Sequence, residues 1–430
     1  MRAAIWLIAL FAVAVAVALF AGNNQAVVTL FWPPHRIDLS LNLVLLLGLL
    51  VFAVLHLALR ALTAALSLPS QARRWRAQQR ERAMHGALMD ALAHLLAGRF
   101  IRASRAAQSA LAQEHSLTQL AAESVHDSGY SPQRGLQLRA LAHLIVAESG
   151  HALQNRSLRE EHLRLALELP AHRLAAETRE GIELRAARWA LEDRDPASAL
   201  EHLARLPAGV SRRTLALRLR LKAARLARQI PQALETARLL AKHQAFSDPA
   251  AQSIVRGLAI ESLQSATDLR QLQQAWLSLE EPERAMPEVA VHAASRLLEL
   301  GGEAGQVRQW LAPIWDSLAA TSFAGLSEDL QVRLVLVLER GLDSIDSAWL
   351  ARLEAALQLQ PRDPYLQYLA GMACLQRQLW GKAQQLLGQA VTQLADANLL
   401  RPAWRALARL AEQRGDNASA EQAYRKLAEL

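Results

Sequence analysis

Two unbroken apolar stretches open the chain, and a charged, amphipathic pattern fills the rest. Residues 3–21 carry no formal charge, and neither do residues 41–59. A helix rises about 1.5 Å per residue, so about 20 such residues cover the roughly 30 Å hydrocarbon core of a bilayer. Each stretch predicts a membrane span. The first is longer than the roughly 7–15 apolar residues of a secretory signal and has no small-x-small cleavage site after it, which favours a retained helix. Between the two, Pro33-Pro34 forces a turn. Val27-Val28-Thr29-Leu30-Phe31-Trp32 reads as a short extended segment at the outer interface, where Trp32 suits the aromatic belt.

The pattern changes abruptly after the second span. Arg60 is followed by Arg73, Arg74, Arg76, Arg80 and Arg82, and arginines beside a membrane helix mark its cytoplasmic end. The expected organisation is therefore a two-helix transmembrane hairpin over 1–62 with both ends in the cytoplasm. A basic juxtamembrane stalk over 63–83 and a cytoplasmic body over 84–430 follow it.

From Met84 onward the apolar positions follow a helix-turn-helix rhythm with a recurring small residue. Ala199 and Ala233 stand 34 residues apart in matching contexts, and Gly371, Ala383 and Ala390 mark a later unit. Ala408, Gly415-Asp416, Ala420 and Tyr424 mark the last, while Gly98-Arg99-Phe100-Ile101-Arg102-Ala103 with Ala107 and Ala110 opens the series. Two antiparallel helices come close where a small residue faces the partner, and large residues fill the space between units. Such a period resembles the tetratricopeptide repeat. Clear units fall near 84–112, 180–242, 330–360, 364–392 and 401–428. The stretches 113–179 and 243–330 read as helical but degenerate, with Gly301-Gly302, Pro282, Pro287 and Pro313 as breaks. Leu215 to Lys222 alternates as a strand would, yet it lacks β-branched residues and runs into Ala223-Ala224-Arg225-Leu226, so a helix is expected. The fold class is all-α: a membrane hairpin followed by an α-solenoid.

Charge alters the picture in one respect. The net charge is +8, but residues 1–70 hold +2 of it and residues 71–82 hold +4, leaving 348 residues nearly neutral. Nucleic-acid binding calls for a basic stripe on the folded body, so it is not expected. Cys374 is the only cysteine, which excludes an internal disulfide and CxxC-type zinc or dithiol sites.

The two apolar spans, the loop element Ile37-Asp38-Leu39-Ser40, the arginine stalk and Ala91-Leu92-Ala93-His94-Leu95-Leu96-Ala97-Gly98-Arg99-Phe100-Ile101-Arg102-Ala103 together resemble the HemY family over about residues 25–135. The resemblance implies a bacterial inner-membrane protein associated with late haem biosynthesis, with tetratricopeptide repeats facing the cytoplasm and late haem-biosynthetic enzymes as partners. It does not imply the flavin-dependent oxidase that shares the label, since no GxGxxG follows a strand here.

No Walker loop, HExxH or GxSxG occurs, and no carboxylate cluster accompanies a nucleophile, so no catalytic residues are expected. His56, near Arg60, reads either as an interfacial imidazole or as an axial ligand to haem iron. Cys374 reads as a buried small hydrophobe. Arg218, Lys222 and Arg225 share one helical face at i, i+4, i+7, and Arg188, Arg405 and Arg409 occupy similar register positions. Together they form a candidate partner-binding groove suited to carboxylates, whether of an acidic peptide or of tetrapyrrole propionates. Three functions stay open: a non-enzymatic scaffold for late haem biosynthesis without a cofactor of its own, a haem or tetrapyrrole carrier or sensor, and a repeat adaptor in envelope (lipopolysaccharide) assembly.

Overall fold

The computed structural model describes residues 2–22, 25–123, 132–168, 176–321, 325–343 and 345–430. Its first elements are helix α1 (Arg2–Gly22) and two strands, β1 (Val27–Trp32) and β2 (His35–Ser40). The strands pair antiparallel from Val27↔Ser40 to Trp32↔His35, across a cis Pro33–Pro34 turn. The sequence predicts only one short extended segment here. A ribbon forms because the β-branched and aromatic run of β1 favours a pleated strand and β2 supplies matching ladder groups. Among the described residues the chain is thus all-α apart from this ribbon.

Ser40 then caps helix α2 (Leu41–Leu96), its hydroxyl accepting from the Leu43 N–H at 3.3 Å. Among the described residues one helical stretch, Leu41–Thr63, is long and apolar enough to cross a membrane. The expected two-span hairpin is supported at its second span alone. The helix does not stop at the span. Its 56 residues extend about 84 Å, through the arginine segment and on to Met84, Leu88 and Ala91, which are buried at helical spacing.

The chain divides into two compact units, Met1–Arg179 and Glu180–Leu430. In the first, the end of α2 packs on α3 (Phe100–Glu123), which packs on α4 (Pro132–Ala152), which packs on α5 (Arg156–Glu168). Next come α6 (Ala176–Glu192), α7 (Pro196–Ala204), α8 (Ala208–Ser211), α9 (Thr214–Leu226) and α10 (Ile230–Lys242). Helices α11 (Asp248–Gln264), α12 (Leu269–Ser278), α13 (Glu281–Arg284), α14 (Pro287–Glu299) and α15 (Ala304–Thr321) follow. The last six are α16 (Glu328–Arg340), α17 (Ser347–Leu359), α18 (Pro364–Gln376), α19 (Trp380–Ala390), α20 (Ala397–Gln413) and α21 (Asn417–Glu429). The alternating stretch at Leu215 is helical, inside α9.

In the second unit α11, α14, α16, α18 and α20 each touch the next, so the first helices of successive hairpins form one row. That row passes through 243–330, the stretch that reads as helical but degenerate in sequence. Trp276 stacks on Trp310 with centroids 4.7 Å apart, filling the interval that small-residue markers do not reveal. Pro313 lies inside α15 rather than ending it. The close approaches are where the sequence places them: Ala199, Ala233 and Ala383 are fully buried. A Cβ on Gly371 would stand 2.8 Å from Leu387.

One turn recurs between helices. Gly98, Gln154, Arg194, Arg228, Gln244, Gly301, Gln378 and Gly415 all have positive φ. In each case the next residue's N–H donates to a carbonyl five positions back, as Asn155 does to Gly150 and Leu379 to Cys374, both at 2.8 Å. This is the Schellman closure, which satisfies the orphan carbonyls of the preceding helix.

Candidate functional site

The arginines and lysine of the candidate groove all lie on the second unit. Arg218, Lys222 and Arg225 share the solvent-exposed face of α9, opposite the buried Ala216 and Ala223. They are not equivalent. Arg218 donates from Nη2 to the Ala245 carbonyl at 2.8 Å and lies over the Phe246 ring, so it fastens the turn that follows α10. Arg188, on α6, pairs with Glu192 one turn along at 3.0 Å. Arg405 and Arg409 are exposed on α20. The structure does not bring the six into one cluster, because α9 comes before the helix row that begins at α11 and α20 is the last helix of that row. What it offers instead is two separate cationic faces on rigid helices, Lys222 with Arg225 and Arg405 with Arg409. Exposed guanidinium groups on such a face can take carboxylates in bidentate fashion.

The membrane-side residues share α2. Arg60 lies within Leu41–Thr63 and is exposed, as are Arg76 and Arg82, while Arg80 is half-buried. The side chains of Arg73 and Arg74 fall outside the described residues. Along the helix axis Arg73 stands about 15 Å and Arg82 about 29 Å past Thr63, against a Debye length of about 8 Å. A charged surface at Thr63 would act in full only on Arg60. The whole group still lies within the 15–20 residues over which arginines set orientation.

His56 sits on an exposed face of the same span, stacked on Phe52 with centroids 6.3 Å apart. One imidazole there supplies an axial nitrogen but no enclosing cavity for a haem. Cys374 is buried in α18 among Ala370, Ala383, Leu386 and Leu410, where burial pushes its thiol above the usual value. Among the described residues no group of three or more His, Cys, Asp or Glu is placed to hold a metal ion.

Buried polar pairs are what the sequence did not reveal. Arg238 grips Glu283 with two hydrogen bonds, 2.7 and 2.6 Å, and Arg139 grips Glu114 with two of 2.8 Å. The Tyr368 hydroxyl donates to Glu339 at 2.7 Å, and burial raises both groups above their usual values. His143 and His162 meet through their Nδ1 atoms at 3.0 Å. Each partner is many positions away from the other and no motif links them, so sequence spacing carries no signal of the contact.

With this geometry in view, residues 27–129 match the HemY protein N-terminus. Over those residues the chain is similar to the N-terminal region of HemY proteins. That HemY region begins at the first residue of β1 and takes in the ribbon, the whole of α2 and all of α3. It therefore includes the span, the arginine segment and the first packed helices together. No curated protein matches the chain. Solved structures also resemble the chain, three of them as follows. A structure of Naa15/Naa10 bound to HypK-THB is 15% identical, with TM-score 0.24, over 77% of this chain and 57% of that one. The Cut9–Hcn1 hetero-tetramer of the APC/C is 12% identical, with TM-score 0.27, over 80% and 66%. The TPR domain of P58(IPK) is 13% identical, with TM-score 0.22, over 77% and 99%. The chain thus spans less than two thirds of the first two. TM-scores this low describe no common overall shape, and the repeat character rests on the helix row and its recurring turn.

Proposed function

We propose that this protein is a membrane-tethered, non-enzymatic scaffold of late haem biosynthesis, which gathers partner enzymes on the helical-repeat body. The observation that supports this most is the continuity of α2. The residues suited to cross a bilayer and the residues that nucleate the repeat core belong to one uninterrupted helix. The 21 residues from Thr63 to Met84 hold that core about 30 Å from the end of the span. In this reading α1 supplies a second span, and the arginines from Arg60 to Arg82 keep the body on the cytoplasmic face of the bacterial inner membrane. The exposed cations of α9 and α20 receive acidic segments of the partners, since a repeat fold recognises through surface detail rather than through a fixed motif.

The test is co-capture of late haem-biosynthetic enzymes by the detergent-solubilised protein and by two double variants, Lys222→Glu with Arg225→Glu and Arg405→Glu with Arg409→Glu. Arg218 is left intact because of its bond to Ala245. At least a tenfold drop in a captured enzyme with unchanged circular dichroism is expected from one of the pairs. Undiminished capture by both would remove the cationic faces from the proposal, and capture of no haem-pathway enzyme by the parent would remove the scaffold itself.

A further inference from the structure

The β1–β2 ribbon has two unlike faces. Side chains alternate across a strand, and residues directly opposite one another share a face. The register therefore places Val28, Leu30 and Trp32 with His35, Ile37 and Leu39 on one side. Val27, Thr29 and Phe31 lie with Arg36, Asp38 and Ser40 on the other. The first face holds five apolar residues of six. The second holds the charged pair, with Arg36 Nε donating to Asp38 at 3.4 Å and its guanidinium over the Phe31 ring.

Among the described residues most of the apolar face is uncovered. Trp32 is 71% exposed, and Leu30 and Ile37 are each 49% exposed, while Val28 and Leu39 are half-buried. What could cover this face is limited by where the ribbon is attached. Strand β2 ends at Ser40, the cap of α2, and the apolar span begins at the next residue. The Leu41 N–H donates to the Ala26 carbonyl at 2.9 Å, so the base of the ribbon is fastened at the point where the span starts. A six-residue strand is about 20 Å long. A ribbon of that length, hinged at the mouth of a membrane span, reaches the lipid surface whichever way it folds down.

We propose that the ribbon lies on the bilayer surface, with its Leu30–Trp32–Ile37 face in the acyl boundary and its Arg36–Asp38 face toward water. This rests on Leu41–Thr63 spanning the membrane. Aromatic residues such as Trp32 favour this depth because one part of the ring is apolar and another wet. The ribbon then resists withdrawal of α2 into the bilayer and sets the rotation of the span about its own axis.

The test places an environment-sensitive NBD label at one position at a time in the full chain carrying Cys374→Ala. The labelled variants are Leu30→Cys on the apolar face, Thr29→Cys on the polar face and Leu50→Cys within the span. The proteins are reconstituted in vesicles of phosphatidylcholine and phosphatidylglycerol (3:1), with and without brominated acyl chains. We expect bromolipid to quench position 30 at least threefold more than position 29, and aqueous iodide to do the reverse. Quenching at position 50 but equal behaviour of 29 and 30 would overturn the ribbon's placement and leave the span intact. Protection of position 30 from both quenchers would overturn it in favour of a protein partner. Iodide access at position 50 would overturn the span and the ribbon's placement together.

Discussion

In the unit that ends at Arg179 the main buried cluster joins Leu88, Ala91, Ala103, Ala107, Ala110, Ala142, Ile145 and Val146. The unit that begins at Glu180 has a core running from Leu217 to Ala406, with Trp276, Trp310, Trp315, Trp349 and Tyr368 among its side chains. Alanine brings helix backbones close together but fills little volume. The first unit therefore adds polar fastenings across its helices, Glu114 to Arg139 between α3 and α4 and His143 to His162 between α4 and α5. The second unit fills its intervals with indole rings. Both units use close approach and polar contacts, the second at Ala199, Ala233 and Ala383 and between Arg238 and Glu283, and what distinguishes the second is the aromatic bulk added to its core.

The largest effect that separates them comes from removing bulk. Trp315 is 1% exposed and packs obliquely on Trp349, centroids 6.1 Å apart. Trp315→Ala should cost about 3–5 kcal/mol, the usual range for emptying a buried aromatic site. Hydrogen–deuterium exchange resolved by peptide should show the loss concentrated in α14 to α18, with the α2–α3 peptides unchanged. Equal loss of protection in both regions would show that the two units open as one, and the contrast between their cores would then have no thermodynamic meaning.

Much of this arrangement was legible in the sequence, for reasons that also mark where legibility stops. Small residues at helix crossings are forced by backbone proximity, so Ala199, Ala233, Gly371 and Ala383 announced their hairpins directly. The stretch 243–330 read as degenerate because there Trp276 and Trp310 meet at a distance of 34 positions and no small residue marks the meeting. The recurring turn was legible at Gly98, Gly301 and Gly415, where glycine is the expected residue at positive φ, and hidden where Gln or Arg occupies the same conformation. The cations of α9 share one exposed face because of their i, i+4, i+7 spacing. That Arg218 is already engaged by Ala245, 27 residues on, could not be read from spacing within its own helix. The ribbon was half visible: β1 announced itself through its valines and aromatics, whereas His35-Arg36-Ile37-Asp38-Leu39-Ser40 becomes a strand only because β1 lies beside it.

Acid should act more strongly on the first unit. Burial is the main reason that His143 is lowered to about 4, with His162 and Arg139 adding to it, and His162 is also lowered, chiefly by burial. A histidine depressed in the folded state contributes stability that is complete above its unfolded value near 6.5 and is lost as pH falls toward the folded value. In the second unit His292 is lowered as well, mainly by burial. Glu339, raised chiefly by burial, works in the opposite direction: it favours the folded state increasingly as pH falls through its folded value. Between pH 6.5 and about 4 the first unit should therefore lose on the order of 1 kcal/mol more than the second, after allowance for the partial solvent exposure of the histidines. Denaturant titrations at pH 7 and pH 5, followed by exchange in each unit, measure this. His143→Gln should flatten the pH dependence of the first unit; an unaltered slope would dissociate the acid response from the His143–His162 contact.

The smallest effect concerns what the two units share. Gln154 in the first unit and Gln378 in the second sit at the same point of the same turn, with φ of 56° and 59°. A side chain in this left-handed region crowds its own backbone, and glycine does not, though glycine loses more freedom on folding. The balance at such a turn favours glycine, so Gln154→Gly and Gln378→Gly should each stabilise by about 0.5–1 kcal/mol. For units of this size that is roughly 1–4 °C in melting temperature. Equal gains would mean that the backbone closure is one device repeated throughout, and that the units differ only in what fills the space between helices. A gain at Gln378 with none at Gln154 would place the difference in the turns as well. The polar fastenings of the first unit would then be compensating for weaker helix ends rather than for a smaller core.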